Sequence, residues 1–362
     1  MDILTILEFI IAFGVLIFLH ELGHYLVARW VGIEVEEFGF GFPPRMVKLF
    51  SFKGTDFTLN WIPFGAFVRP KGENDPGVPG GLAAATPLKR LAVLLGGPLM
   101  NLFAAILIFT LLFNVAGAPD PSRVLISGVA QGSPAEISGM QSGDIIVSVN
   151  QVKIDSQDTL SGLVTENRGN EITVVLNRNG ETVEVNAVPR VTPPPGQGAL
   201  GITLSAPYTS VPLPRAFAGG VLMTLDQGRQ LILLPGKLIR GEVSSEQARF
   251  MGPIGVANVY GQIAKEDDKI QAEADQSPNT TPPAVNRFFF LAVLSAALGY
   301  TNLLPIPALD GGRILFALVE MITRRKIKPE FENMVHLIGF AALIMLMVYI
   351  TTQDIFNPIV LP

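Results

Sequence analysis

The chain has no cysteine and is sparing with histidine, tryptophan and charge. Its 362 residues include three histidines and two tryptophans, and only 16 % are charged. Without cysteine there is no disulfide, no thiol nucleophile and no zinc–thiolate centre. The few charges nearly balance at a formal −5, with no basic excess, so there is no electrostatic footprint for nucleic acid. What remains is apolar: 49 % of residues are hydrophobic and the mean hydropathy is +0.42. That is high for a water-soluble protein and modest for a chain made only of membrane helices. It points to a few spans joined to at least one domain in water.

Four apolar stretches read as spans, at about residues 3–31, 91–116, 288–304 and 334–350. The last two are short for a bilayer, which favours tilting. The first is not read as a cleavable leader. It lacks a basic start, carries Asp2 and Glu8, and runs into a motif that cleavage would remove. Arg45, Lys48, Lys53, Arg69, Lys71, Lys89 and Arg90 lie between spans one and two, and Arg324, Arg325, Lys326 and Lys328 between spans three and four. Residues 1–8 and the tail beyond Ile350 carry no lysine or arginine. Both basic loops therefore belong in the cytoplasm, with the termini and the long central segment outside.

The first span closes on His20-Glu21-Leu22-Gly23-His24. Histidines four apart on a helix share one face and can grip one zinc ion. The glutamate between them can act as base toward water activated by that metal. Ionisable residues at membrane depth are costly and by default functional. A catalytic zinc needs a third protein ligand, for which Asp310, His336, Glu320 and Glu8 are available. Asp310 follows Asn302-Leu-Leu-Pro305-Ile-Pro307-Ala-Leu309, which breaks the third span with two prolines, as a cavity wall would. This favours Asp310, while spacing alone leaves His336 open.

Residues 54–71 alternate as Thr55-Asp-Phe57-Thr-Leu59-Asn-Trp61 before Pro63 and Gly65, the pattern of a β-hairpin beside the membrane. Its edge could pair with an unwound peptide by strand addition, with Phe64, Gly65, Ala66 and Phe67 as the contact stretch. In the second span, Gly96-Gly97-Pro98-Leu99-Met100-Asn101 permits close helix approach, and Asn101 needs a hydrogen-bond partner in lipid. Residues 119–207 carry short β-like runs at 124–129, 145–149, 172–176, 183–188 and 200–204. Helical stretches start near Ser133 and over 158–167, and Asn179-Gly180 marks a hairpin turn. Within residues 208–287, the stretch 216–239 reads as an amphipathic helix too polar to span. It would lie on the outer membrane surface or flank the β domain in water. Residues 265–287 read as a polar, proline-bearing mobile loop.

Gly132-Ser-Pro-Ala135, Gly139-Met-Gln-Ser-Gly143-Asp144-Ile145-Ile146 and Val149-Asn150 resemble bacterial PDZ modules. Leu200-Gly201-Ile202 follows this stretch rather than preceding it, which is similar to a circularly permuted PDZ domain. The resemblance implies that Leu200, Gly201 and Ile202 bind a peptide C-terminus. The His20–His24 motif, Gly97-Pro98-x-x-Asn101 and Asn302…Pro305…Leu309-Asp310-Gly311, in that order, resemble the site-2 protease family of intramembrane zinc metalloproteases. A PDZ insert is similar to the bacterial sigma-regulating branch, some members of which carry two such domains where one is recognisable here. The resemblance implies one zinc held by His20, His24 and Asp310, Glu21 as catalytic base, and Asn302 and Asn101 in substrate handling. It also implies a membrane-reentrant hairpin at residues 54–71. The expected substrates are single-span membrane proteins, such as anti-sigma factors or remnant signal peptides, in a bacterial inner membrane.

The expected architecture is a polytopic α-helical membrane protein of about four spans with a membrane-associated β-hairpin and an extracytoplasmic α+β PDZ domain. It divides into a first membrane half (1–118), the PDZ domain (119–207), a surface-helix and loop region (208–287) and a second membrane half (288–362). The rival is a non-catalytic PDZ membrane adaptor with a structural zinc, which would not need Glu21. A metal transporter would want more polar residues along a path through the membrane.

Overall fold

The computed structural model describes residues 2–194, 196–242, 249, 251–276 and 284–359. In chain order the elements are α1 (Ile3–Trp30), β1 (Val35–Phe52), β2 (Thr55–Pro70), α2 (Pro87–Val115), β3 (Ala118–Pro119), β4 (Val124–Val129) and α3 (Pro134–Ile137). Next come β5 (Ile145–Val149), β6 (Val152–Lys153), α4 (Gln157–Glu166), β7 (Ile172–Arg178), β8 (Glu181–Ala187), β9 (Ile202–Ser205) and β10 (Tyr208–Thr209). The last five are α5 (Leu213–Ile239), α6 (Pro253–Gln276), α7 (Asn286–Leu303), α8 (Asp310–Thr323) and α9 (Pro329–Phe356). They form two compact units. One comprises Met1–Leu111, Pro214–Glu266 and Asn286–Pro362, the other Leu112–Leu213 and Asp267–Val285.

In the first unit, α1, α2 and α9 are long and apolar enough to cross a membrane. Leu7, Ile11, Leu107, Leu111, Leu346 and Val348 on these helices are exposed, as side chains facing lipid must be. The fourth apolar stretch is not short: α9 runs 28 residues. The third forms α7, which stops at Leu303 and resumes only at Asp310 as α8. α1 and α2 approach closely where Gly23 faces Gly96: a Cβ on Gly23 would collide with the Gly96 carbonyl.

The hairpin read over 54–71 is half of a larger sheet. Residues 35–40 of β1 pair on one side with 66–70, and residues 37–42 on the other with 56–62, while 45–52 pair with 55–60. Four segments thus lie side by side in the order 66–70, 35–42, 55–60, 45–52. Glu36-Glu37 and Pro43-Pro44 interrupt the alternation that would have revealed β1. Glu37 is buried because it is neutralised: Thr58 Oγ1 donates to it at 2.8 Å, and Arg45 and Arg69 pair with it. Val35, Phe38 and Ala66 carry this sheet onto Tyr25 and Ala28 of α1 and Val93 of α2.

Two helical expectations need correction. The amphipathic reading of α5 is incomplete, since the helix also meets neighbours within the first unit. It packs along α2 and α7 through a stripe of small buried residues, Ala216, Gly220, Thr224 and Gly228. A Cβ on Gly220 would meet Thr110 Oγ1 at 2.7 Å, one on Gly228 would overlap the Tyr300 ring, and Tyr300 Oη donates to the Thr224 carbonyl at 3.0 Å. Small residues at every fourth position let the backbones close, a packing signal that the polar count concealed. Much of the expected loop over 265–287 is helix, since α6 continues to Gln276; residues 277–283 lie outside the described residues. α6 is anchored at its start by buried Asp354 of α9, which accepts the N–H groups of Gly252 and Gly255 at 2.8 and 3.0 Å.

The second unit holds a sheet in the order β8-β7-β5-β4-β9, with β6 beside β5 and a separate β3–β10 pair. The five expected strands are present, two with the expected bounds and the others within two residues at their ends. Ser133 and Ser156 cap α3 and α4 through their hydroxyls, and Pro134 occupies the first turn of α3. Asn179 and Gly180 both take positive φ, the backbone of a tight hairpin turn. Val124, Ile126, Ile146, Val149, Ile172 and Leu176 fill the core. Asp144 is buried because Arg178 clamps it through Nε and Nη2 at 2.7 Å each, and this raises the guanidinium pKa above its ordinary value.

Candidate metal centre

α1 delivers His20 and His24 to one face, and the break between α7 and α8 swings Asp310 toward them. The interruption depends on the chemistry of residues 304–309. Pro305 and Pro307 cannot continue a helix, and Ala308 sits at φ 75°. Asp310 then opens α8, where the positive end of the helix dipole favours a carboxylate. His20 Nε2 lies 3.1 Å and His24 Nε2 3.4 Å from Asp310 Oδ2, and the two nitrogens are 3.2 Å apart. Ligands about 2.0–2.1 Å from a tetrahedral zinc stand ~3.3–3.4 Å from one another, so these three separations fit one zinc ion. Gly97 of α2 leaves the room: a Cβ there would collide with His24 Nε2 and lie 2.8 Å from His20 Nε2.

His336, the other histidine open to the role, is occupied elsewhere. Its Nδ1 accepts the Ala308 N–H at 2.9 Å, which holds the loop leading into Asp310. Glu320 is paired with Arg90, and Glu8 with Arg287 and Tyr260. Among the described residues, His20, His24 and Asp310 form the one metal-competent cluster of His, Asp and Glu side chains.

A cavity of about 570 Å³ opens over the cluster, lined among others by Glu21, Phe67, Val68, Asn302 and Asp310. Glu21 lines the same cavity as the two histidines and accepts the Val68 N–H at Oε2, 3.1 Å away. Asn302 donates its amide to the Leu298 carbonyl at 3.0 Å and keeps its place in the cavity wall. Arg313, one turn beyond Asp310, pairs with Glu73 at the same cavity. The other expected contact residues are distributed differently. Ala66 is buried in the sheet core, Gly65 lines a separate apolar cavity between α1, α6 and α7, and the Phe64 side chain is outside the described residues. Asn101 lies behind the metal cluster, 1 % exposed, with its amide against His20. Sequence reasoning missed the Val93 carbonyl beside His24 Nδ1 (2.8 Å) and the Val68 N–H on Glu21. Both are backbone groups and leave no signature in residue identity.

The model of Peptidase family M50 matches residues 8–346. The chain belongs to this family, the site-2 proteases. A Clostridium acetobutylicum protein provisionally named a zinc metalloprotease is 30 % identical over 363 residues, covering 99 % of both chains. A similarly named protein of Clostridium perfringens is 33 % identical, covering 97 % of this chain and 98 % of its own. The regulator of sigma-W protease RasP of Bacillus subtilis is 29 % identical, covering 97 % of this chain and 98 % of its own. As an M50 member the protein is a zinc metalloendopeptidase, and with its apolar helices an integral membrane protein.

Proposed function

We propose that this M50 peptidase cuts single-span membrane proteins within or near the bilayer, with His20, His24 and Asp310 holding zinc and Glu21 as the catalytic base. The observation that carries this reading is the convergence of the three ligand atoms beside a carboxylate that faces the cavity. Zinc, when bound, supplies the Lewis acid that polarises a peptide carbonyl and acidifies water. Glu21, held at Oε2 by Val68, has Oε1 to take the proton of the attacking water. As oxygen adds to the carbonyl carbon and the C–N bond breaks, Glu21 returns that proton to the leaving nitrogen. The adaptor reading gives Glu21 no task.

A helical substrate hides its carbonyls and must unwind. Residues 66–70 form a sheet edge beside the cavity. Because Val68 turns its N–H outward to Glu21, strand alternation turns the N–H and C=O of Ala66 the same way. An unwound segment can therefore add as a strand there, within reach of Glu21. The motifs Gly132–Ala135 and Gly139–Ile146 support a permuted PDZ reading of the second unit. Among the described residues β9 is an edge strand paired only with β4, and Leu200-Gly201 leads into it. This supports capture of a peptide C-terminus, such as that of a pre-cut substrate, at Leu200, Gly201 and Ile202. By the positive-inside rule, the basic loops support a metal cluster toward the cytoplasm and a second unit outside. Anti-sigma factors and remnant signal peptides remain the expected substrate classes, in a bacterial inner membrane.

The test is cleavage of tagged single-span proteins by the detergent-purified chain. A chelator should abolish it, and Glu21→Gln should lower it by about 100-fold to 10,000-fold while zinc stays bound. Cleavage by Glu21→Gln at the wild-type rate would remove Glu21 from the mechanism.

A further inference from the structure

His24 and His20 both offer Nε2 to the metal cluster, so in each ring Nδ1 must carry the proton when zinc is bound. For His24 the fold supplies the partner directly: the Val93 carbonyl, 2.8 Å from Nδ1, can only accept. For His20 the neighbour of Nδ1 is the Asn101 amide, whose Nδ2 lies 3.3 Å away. Two N–H donors cannot share a hydrogen bond. On the other side of the same amide, Oδ1 is buried without a hydrogen-bond partner among the described residues. The two ends of the amide are nearly identical in shape, so a half-turn of χ2 places the oxygen on His20 Nδ1–H and turns the NH2 group to where the oxygen stood. The main chain is set for this. Ser295 Oγ of α7 donates to the Asn101 carbonyl at 2.8 Å and ties this turn of α2 to its neighbour, and Ser295 is itself fully buried.

We propose that Asn101 is a positioning residue for the zinc ligand His20. Its amide oxygen accepts the Nδ1–H, fixes the tautomer that leaves Nε2 free, and aims the ring at the metal. Resting on the metal assignment above, this replaces substrate contact as the role of Asn101, which is buried behind the histidine it touches. It also gives each histidine an acceptor from α2, Val93 for one and Asn101 for the other, so α2 orients both imidazoles of α1.

Zinc affinity decides the matter, measured by competition with a chromophoric chelator on the full-length protein in detergent. Asn101→Leu keeps the volume and removes the acceptor, and should weaken zinc binding about 10- to 100-fold, the usual cost of losing such a partner. Asn101→Asp keeps an acceptor at the same place and should bind zinc within about threefold of wild type, although a merely structural role would make a buried carboxylate the worse substitution. Ser295→Ala, which disturbs the packing but spares the amide, should leave affinity unchanged. Asn101→Leu binding zinc as tightly as wild type would overturn the assignment. So would Asn101→Asp or Ser295→Ala binding as weakly as Asn101→Leu. A wild-type protein that takes up no zinc would overturn the metal site with it, which separates the two failures.

Discussion

The two units bury opposite chemistries. The second unit is built as a water-soluble domain: Val, Ile and Leu fill its interior, and its buried aspartate is clamped by an arginine. The membrane unit keeps an apolar cluster where its sheet meets α1 and α2, but its helices are inverted. Large hydrophobics cover α1 and α9, while His20, His24, Asn101, Thr224, Ser295, Glu320 and Asp354 are inside. In water, burying apolar area drives the fold. In lipid that drive is gone between helices, and close contacts through small residues together with satisfied polar groups replace it. Gly23 against Gly96, Gly220 against Thr110 and the Arg90–Glu320–Glu332 group on α2, α8 and α9 are contacts of this kind between the helices of the membrane unit.

The comparison is broken most severely at Gly97. Gly97→Ala adds one methyl group, a trivial change on most helices. Here it displaces both histidines, and zinc affinity should fall by more than the roughly 10- to 100-fold that a supporting residue costs. Wild-type zinc affinity in that variant, measured by the same chelator competition, would contradict the cluster's geometry. A pair of variants tests the inversion itself. Arg90→Ala leaves buried Glu320 and half-buried Glu332 without their partner and should destabilise the membrane unit by about 3–5 kcal/mol. Ile126→Ala opens a cavity in the β core and should cost the second unit about 2–5 kcal/mol while leaving zinc content unchanged. Thermal unfolding followed separately by tryptic release of each unit reads both. Loss of the same unit in both variants would refute the division. The smallest effect is expected at the sheet edge. Ala66→Pro removes one outward N–H and should slow cleavage about tenfold, the weight of one or two net hydrogen bonds of ~1 kcal/mol each, with zinc intact. Cleavage at the wild-type rate would end the strand-addition reading.

The same contrast explains which features were legible in the sequence. The β strands were placed nearly to the residue, because alternation, Asn179-Gly180 and the Ser133-Pro134 cap are local signals that water-soluble packing leaves intact. In the membrane unit, α1 is apolar all round, so periodicity gives no buried face. Only its ionisable residues, His20, Glu21 and His24, could speak for function. Asp310 could be favoured over His336 because prolines break the helix before it, but the closure of a 286-residue separation onto His24 is a tertiary fact. β1 escaped because paired glutamates and prolines interrupt its pattern, and the compensation for Glu37 comes from Arg45 and Arg69, eight and thirty-two residues away. The packing face of α5 went unread because the polar residues were counted and the small ones at every fourth position were not followed.

The central claim is that a carboxylate delivered by a broken helix completes the zinc site begun by His20 and His24. X-ray absorption at the zinc edge of the loaded protein tests it most directly, with Asp310→Ala measured alongside. The account predicts two imidazole nitrogens with oxygen donors at about 2.0–2.1 Å, and a loss of bound zinc in Asp310→Ala. A third imidazole, which could only be His336, or full zinc retention with an unchanged spectrum in Asp310→Ala, would contradict it.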